Sequence, residues 1–275
     1  MMAMLRSYVS HRDLFINLVQ RELRVRYRRT ALGWLWAFLN PALNTLIYSF
    51  VFVIVFDIKP NPGDPSGNPY FAFFLLSATL PFNFLSGSLT GGIASIMSSG
   101  PLIGRVYFPR HLIPVASVVA LAVSFVIELV VLIALLLVFG YNALPYTPAV
   151  LALVVLQAFF VSGITLFTSA LNVRYRDVQH LVTVLLLVWF YLTPCLYGLE
   201  RLPVRGNVFG VSIPVRSILM FNPMTRFVTA YRNCMFDLRY PSALTWLACI
   251  VSALVSFGLG GAYFNRRAAR FSEEL

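Results

Sequence analysis

The chain has 275 residues, of which 59% are hydrophobic and only 11% are charged. A soluble domain carries about 25% charged residues, so this composition excludes a soluble enzyme and predicts a protein that crosses the membrane several times. The net charge is +11. Because the arginines lie at the ends of apolar segments rather than on one soluble face, their expected partner is anionic lipid and not nucleic acid.

Residues 1–32 are basic and amphipathic and carry no cleavable signal pattern. Over residues 8–29, apolar side chains recur at steps of three and four while arginines mark another face, which predicts a cytoplasmic helix lying on the membrane. The apolar positions are Leu14, Phe15, Leu18, Val19 and Val25, and the basic positions are Arg21, Arg24 and Arg28. Such a helix is either a lipid anchor or a docking surface for a cytoplasmic partner.

Six apolar segments within residues 33–264 predict six transmembrane helices. They cover residues 33–56, 70–97, 112–139, 147–171, 181–197 and 243–264. About 20 residues suffice to cross the hydrocarbon core as a helix. In this topology 14 of the 21 Lys and Arg residues lie inside. The positive-inside rule therefore puts both termini, including the tail of residues 265–275, in the cytoplasm.

The connection of residues 198–242 conflicts with this alternation, because it carries six arginines and is predicted outside. If residues 208–224 crossed the membrane, the basic tail would end outside. Alternatively, the connection stays outside and dips into the membrane as two short re-entrant helices, which are tolerated where they are buried in protein or line a wet cavity. We choose the second interpretation, since long loops weigh less in the positive-inside rule. The expected fold is an all-α integral membrane protein.

Two patterns lie inside the spans. Glu128 falls near the middle of the third span, where an ionisable group faces protein or water rather than lipid. It is either a structural partner at a helix interface or a substrate contact.

Gly87 and Gly91 form a GxxxG pattern in the second span, which is typical of close helix packing. The polar second half of that span is also a candidate lining of a path.

The sequence lacks the clusters that a membrane enzyme would use. Its ten acidic residues are scattered, and the single lysine, Lys59, precedes a proline, so there is no phosphate-binding loop. Cys195, Cys234 and Cys249 show no metal spacing and are expected to be buried free thiols. The alternative is a disulfide between Cys195 and Cys234, which would both lie near the outer face. We therefore expect no catalytic residue, no metal and no cofactor on this chain. An ion channel is also disfavoured, because Glu128 alone would supply a charged ring.

Three motifs carry a resemblance to a known family. RYRRTALGWLWAFLNP, LNVRYRDVQHLV and FNPMTRFVTAYR, in this order, resemble the permease subunit of ABC-2-type exporters of polysaccharides, such as O-antigen, capsule, teichoic acid and galactan. The resemblance implies a homodimer in the bacterial cytoplasmic (inner) membrane, bound to two copies of a separate ATPase that holds ATP and Mg. Its substrate would be a glycan on a polyprenyl diphosphate.

The resemblance also implies roles for cytoplasmic residues. The N-terminal helix and the two cytoplasmic loops would contact the ATPase, and arginines at the inner rim would hold the diphosphate, with plain lipid anchoring as the alternative. The ATPase-coupling residues would be Arg24, Arg26, Arg105, Tyr107, Phe108, Arg110, Arg174, Arg176 and Asp177, and the diphosphate residues Arg28 and Arg29.

Family exporters line their channel largely with the first and fifth spans and close it with the re-entrant pair. Aromatic side chains suit this task, because a ring face stacks on the C–H face of a pyranose and lets it slide. The candidates are Tyr48, Phe52, Trp189, Phe190, Tyr191 and Tyr197. For each of them the alternative is a packing or lipid-facing side chain.

Two questions about the substrate stay open. An exporter of a drug or small lipid in the same family needs a lateral cleft rather than a continuous aromatic channel. Twenty arginines against one lysine suggest GC-rich coding DNA, which favours a cell-wall galactan over capsule or O-antigen.

Overall fold

The computed structural model describes residues 10–27, 35–55, 61–100, 108–199, 206–208, 211–268 and 271. Over these ranges the chain is mainly helical. The α-helices are α1 (Arg12–Tyr27), α2 (Leu35–Ser49), α3 (Phe71–Ser98), α4 (Leu112–Val138), α5 (Thr147–Arg174), α6 (Val178–Leu192), α7 (Val215–Phe221), α8 (Pro223–Arg232) and α9 (Ala243–Ala268). Phe50–Val55 continues α2 and Asn233–Asp237 continues α8 as π-helices, and a 3-10 turn at Leu144–Tyr146 precedes α5.

Four of the described helices are long and apolar enough to cross a membrane, namely α3, α4, α5 with its preceding turn, and α9. The prediction of a multi-pass membrane protein is therefore confirmed. The other two predicted spans form shorter apolar helices, Ala42–Val55 and Val178–Leu192. At 1.5 Å per residue, α6 rises about 22 Å, which is less than the roughly 30 Å hydrocarbon core. The number of six crossings stays a prediction.

The fifth predicted span, residues 181–197, ends earlier as a helix than expected. α6 stops at Leu192, and the chain at Thr193 is extended. Pro194 is the physical reason, because the residue before a proline is disfavoured in the α conformation. The five residues that follow Leu192 belong to a turn that leads toward the long connection.

Two glycines allow α5 and α9 to cross with their main chains in close contact. Gly163 of α5 lies against the main chain of Ser256 in α9, and Gly260 of α9 lies against the carbonyl of Gly163. A Cβ atom at either glycine would overlap these main-chain atoms. The Ser256 hydroxyl also donates to the Phe160 carbonyl at 2.7 Å, which ties the two helices together.

The GxxxG pattern of α3 has the packing role that the sequence predicts. Gly87 faces Leu121 of α4, and a Cβ on Gly91 would come within 3.1 Å of the Ser117 hydroxyl. The neighbouring Gly92 lies directly against Thr165 of α5. The small residues in the second half of α3 therefore let α4 and α5 approach it from two sides.

The long connection contains short helices, as expected, and also a small β-hairpin. β1 (Gly206–Val208) pairs antiparallel with β2 (Val211–Ile213), with Gly206 opposite Ile213. This hairpin is a local exception to the all-α class, which the helices confirm. The sequence of this segment, GNVFGVSI, contains β-branched residues beside glycine, which is a local signal for strands. The prediction followed the helical character of the whole chain instead.

The two ends of the bundle differ in character. At one end, which we call the basic end, α1 packs on α4, and residues from the start of α4 and the C-terminal parts of α5 and α9 join the same apolar cluster. This cluster includes Leu18, Phe108, Val173 and Phe264. At the other end, which we call the loop end, residues 61–69 meet residues 193–199 and 233–239. The 28-residue helix α3 separates the two ends by about 40 Å.

Candidate functional site

The loop end contains a cavity of about 370 Å³ with a mixed aromatic and polar lining. We call it the aromatic cavity. It forms where the end of α2, the start of α3, the turn after α6 and the π-helix after α8 converge. Its aromatic side chains are Phe52, Phe71, Phe74, Tyr197 and Phe236, and its polar ones are Asn61, Asp64, Thr229, Arg232, Asn233, Asp237 and Arg239.

Arg232, at the end of α8, is the deepest charged group of this cavity, with 9% of the residue exposed. Its guanidinium carbon lies 3.7 Å from the centre of the Phe74 ring, which is a short cation–π contact. The same group donates to the Pro194 carbonyl at 2.9 Å and to the Cys195 carbonyl at 3.3 Å. Arg232 therefore links the turn after α6 to the start of α3.

Arg239 connects two acidic residues at the cavity mouth. Its guanidinium lies 3.4 Å from Asp237 and 3.9 Å from Asp64. Ser66 strengthens the junction, because its hydroxyl donates to the Phe236 carbonyl at 2.6 Å and its N–H donates to the Asp237 carbonyl at 3.1 Å. The loop of residues 61–69 is thus fixed to the end of the long connection.

The predicted channel aromatics separate into groups. Phe52 and Tyr197 line the aromatic cavity. Trp189 donates to Asn222 at 2.8 Å, and Phe190 makes an edge contact with Phe82 whose ring centre is 5.1 Å away. Tyr191 is exposed, whereas Tyr48 packs against the main core. The structure thus brings two of the six together in the cavity and leaves the others along α6 and α2.

A second concavity runs beside α2 and is almost wholly apolar. Its volume is about 610 Å³, and α2 with its π-helical extension forms one wall while the start of α3 forms the other. Phe71 lines both this groove and the aromatic cavity. An apolar groove beside a short helix has the shape that a lipid chain requires.

The basic end holds several of the predicted coupling residues. Arg24 is exposed on α1, and Phe108 is buried in the apolar cluster. Arg110 is half-buried and donates to the main-chain carbonyl of Ala268 at the end of α9. The residues Arg28, Arg29, Arg105 and Tyr107 lie outside the described residues. Arg26 belongs to α1 by its backbone.

The loop between α5 and α6 projects from the end of α5. Arg174, Arg176 and Asp177 are all exposed there, and the Arg174 guanidinium lies 5.2 Å from the centre of the Tyr175 ring. Three exposed charged side chains in a row form a surface that a partner protein can reach. Their role in coupling stays a prediction.

Burial shifts two pKa values at the basic end. Burial, together with a smaller effect of His11, lowers the pKa of His111 to about 4. Burial raises the pKa of Glu22, although Arg21, 4.0 Å away, opposes this shift. Arg21 also donates to the Ser99 hydroxyl at 3.2 Å, which attaches α1 to the end of α3.

The remaining predicted sites are less distinctive. Glu128 is half-buried on α4, and its role stays a prediction. The three cysteines are free and buried, as expected. Over the part of the chain that the structure describes, no group of three or more His, Cys, Asp or Glu side chains is arranged to hold a metal ion.

Comparison with known proteins decides the family. Residues 13–236 match the family described as "ABC-2 type transporter". The chain belongs to the ABC-2 type transporter family. It is 32% identical over its full length to the full-length "O-antigen export system permease protein RfbA" of Myxococcus xanthus. It is 27% identical to the protein of the same name from Klebsiella pneumoniae, over 96% of this chain and 95% of that one. It is 22% identical to the "Polysialic acid transport protein KpsM" of Escherichia coli, over 90% of each chain.

Membership of this ABC-2 family confirms the resemblance that the three motifs carry. It makes the chain a transport component of a membrane complex rather than an enzyme. The matched region begins in α1 and ends in the π-helix that borders the aromatic cavity. It therefore contains nearly all of α1 and the cavity-lining residues up to Phe236, whereas Asp237 and Arg239 lie just beyond it.

Sequence reasoning missed the polar half of the aromatic cavity. It placed Arg232 and Arg239 in the long connection without a role, and it did not link Asp64 to Asp237, which is 173 residues away. The motif FNPMTRFVTAYR contains Asn222, whose side chain joins α6 to α8. A signal was available there, because Asn before Pro is a typical helix start.

Proposed function

We propose that this ABC-2 chain is the permease subunit of an ATP-driven exporter that moves a polyprenyl-diphosphate-linked polysaccharide across the bacterial cytoplasmic membrane. The observation that carries this proposal is the similarity, over the whole length, to permeases named for O-antigen export. The aromatic cavity supports it, because aromatic and hydrogen-bonding side chains together are the lining that a sugar chain needs.

In this proposal the basic end faces the cytoplasm and both termini lie inside. Six helical segments cross the membrane, and α7 with α8 forms the outer re-entrant pair. Support comes from contacts that join the N-terminal helix, the 108–111 segment and the end of α9 at one end. The arginines of these segments are then on the side that the positive-inside rule requires.

Two permease copies and two copies of a separate ATPase form the transporter in this proposal. The two short apolar helices, α2 and α6, leave broad apolar faces exposed. A helix that is too short to span the bilayer alone gains most from being covered by protein. We therefore assign these faces to the contact between the two copies and the path between them.

The chain's own part in the mechanism is mechanical. ATP and Mg bind on the partner subunits, whose closure pushes on α1, on the loop that carries Arg105 and Arg110, and on Arg174, Arg176 and Asp177. The push shifts the two permeases and widens the path at their interface. Arg28 and Arg29 hold the diphosphate at the inner rim as charge-assisted donors. The glycan then passes the aromatic side chains of α2 and α6.

The test uses the permease purified together with the ATPase encoded beside it, in lipid nanodiscs. We expect ATP hydrolysis to respond to a polyprenyl-diphosphate-linked glycan and not to the free glycan or to the carrier alone. No associating ATPase, or a rate that ignores the lipid-linked glycan, would contradict the proposal.

The apolar groove supports a second candidate function, the export of a small lipid. Its lining is almost entirely apolar, and it opens beside α2. In that case small amphiphiles alone would raise ATP hydrolysis, and a lipid-linked glycan would add nothing. The same nanodisc assay therefore separates the two functions.

A further inference from the structure

We propose that the aromatic cavity is a subsite for an uncharged saccharide unit, so that the exporter prefers neutral over acidic glycans. This inference rests on the proposed function and goes beyond it, because it assigns the ligand class of one cavity. The cavity volume of about 370 Å³ is at the small end of the roughly 300–1,000 Å³ of small-molecule sites. It therefore suits one or two sugar rings rather than a long polymer segment.

The aromatic half of the lining supplies apolar surface for the C–H face of a sugar. Phe71 and Phe74 stack with ring centres 5.9 Å apart, and Phe52 lies 6.0 Å from Phe71. Phe236 meets Phe74 edge-on at 5.4 Å. Because the rings hold one another in place, this wall is set before a ligand arrives, which lowers the entropy cost of binding.

The polar half of the lining decides the charge of the ligand. Described cavity-lining residues include two guanidinium groups and two carboxylates. Arg239 is engaged by both Asp64 and Asp237, and Arg232 is engaged by two carbonyls and the Phe74 ring. An anionic sugar would have to break these contacts and approach two carboxylates. A neutral sugar meets the same groups as hydrogen-bond donors and acceptors.

Of the two carboxylates, Asp237 should repel an anionic ligand more strongly. Its side chain is 15% exposed, against 90% for Asp64, so water screens it less. Asp64 sits at the mouth, where substitution disturbs few buried contacts. These differences make Asp64→Asn the variant that changes the charge at the cavity with the least risk to folding.

The experiment measures saturation-transfer difference NMR on the permease–ATPase complex in nanodiscs. The probes are maltotriose, which is neutral, and trigalacturonate, which has the same length and three carboxylates. We expect signal from the C–H protons of maltotriose and at least fivefold less from trigalacturonate. Asp64→Asn should raise the trigalacturonate signal at least threefold, because it removes one anion and releases half of the Arg239 contacts.

Three variants test the location. Phe52→Ala combined with Tyr197→Ala should lower the maltotriose signal at least fivefold, while Phe221→Ala, which removes an aromatic ring that is 93% exposed and outside the cavity, should not change it. Gly198→Phe fills the cavity from a position where an added Cβ meets nothing within 4 Å, and it should abolish the signal. If the Phe52→Ala, Tyr197→Ala double variant fails to fold, Gly198→Phe still tests whether maltotriose binds in the cavity.

Equal signals from the two probes, or full maltotriose signal in the Gly198→Phe complex, would overturn the inference. A different result would contradict the proposed function. If the lipid-linked glycan stimulates ATP hydrolysis equally in wild-type and cavity variants, the exporter stands and the subsite is wrong. If maltotriose binds in the cavity but no lipid-linked glycan alters ATP hydrolysis, the exporter assignment is wrong and the site remains.

Discussion

Arg110 donates a hydrogen bond from its guanidinium group to the main-chain carbonyl of Ala268, so the segment before α4 holds the C-terminal end of α9. The last carbonyls of a helix lack partners within the helix, and a cation near them is favourable. This arginine, which the family resemblance assigns to ATPase coupling, therefore also has a structural contact. Its two roles need to be separated by experiment.

We expect Arg110→Glu to lower the free energy of unfolding by about 2–3 kcal/mol, because it removes a charge-assisted hydrogen bond and puts an anion beside the negative end of α9. Arg110→Lys should lose less than half of that, since it keeps the charge. The measurement is thermal unfolding in nanodiscs. If Arg110→Glu is as stable as wild type, the hydrogen bond to Ala268 does not stabilise the fold.

Arg174→Glu is the matched variant for coupling alone. Arg174 is exposed at the C-terminal end of α5, so placing an anion there should reduce stability by no more than about 1 kcal/mol. If this loop transmits movement from the ATPase, glycan export per hydrolysed ATP should fall at least fivefold in the folded complex. Unchanged export would remove Arg174 from the coupling surface.

The crossing of α5 and α9 depends on the absence of a side chain at two glycines. Gly163→Ala and Gly260→Ala each place a methyl group onto main-chain atoms of the facing helix. We expect each to reduce stability by about 1–3 kcal/mol or more, since overpacking forces the helices apart. The amount of folded protein in size-exclusion chromatography and its melting temperature measure this effect.

Gly258→Ala provides the control, because Gly258 is in the same helix and an added Cβ there meets nothing within 4 Å. Alanine is the better helix former by up to about 1 kcal/mol, so this variant should be as stable as wild type or more stable. Equal losses in all three variants would indicate a general effect on α9 rather than a close crossing.

The sequence predicted the places of the helices well because membrane segments are defined by length and hydropathy, which are local properties. The amphipathic helix α1 was also predictable from the spacing of Leu14, Phe15 and Leu18, all of which face the protein. Val25, predicted on the same face, is 63% exposed. It lies near the end of α1 and is not part of the apolar cluster that Leu14, Phe15 and Leu18 join.

The aromatic cavity was less predictable, since it is built from residues far apart in the chain. Asp64 and Arg239 meet across 175 positions, and Arg232 finds Phe74 across a similar distance. No local period or motif encodes such pairings. By contrast, Phe52 and Tyr197 could be selected beforehand, because the family resemblance already pointed to aromatics of the first and fifth spans.

Asn222 joins three elements through one side chain. Its oxygen accepts from the Met224 N–H at 3.0 Å and from the Trp189 indole at 2.8 Å, and its nitrogen donates to the Thr193 hydroxyl at 3.1 Å. Asn222→Ala should cost about 2–4 kcal/mol, since it removes a helix cap and leaves the half-buried Trp189 indole N–H without this acceptor.

Thermal unfolding measures this cost. Asn142→Ala is its control, because Asn142 is exposed and accepts one bond from the Leu144 N–H at 3.2 Å. That variant should lose well under about 1 kcal/mol. Equal losses at the two positions would mean that the Asn222 network adds nothing beyond an ordinary turn.

The basic end should weaken in mild acid because of His111. Its pKa is lowered to about 4 by burial and by His11, whereas the unfolded chain titrates near 6.5. The unfolded state therefore binds more protons between these values, so stability is full above about pH 6.5 and falls as the pH drops toward 4. The loss amounts to at most about 3 kcal/mol.

The variant His111→Gln tests this expectation, because its melting temperature should depend less on pH over this range. The control is His180→Gln, at an exposed position of α6, which should show the same pH dependence as wild type. An unchanged slope in His111→Gln would assign the acid sensitivity to other groups.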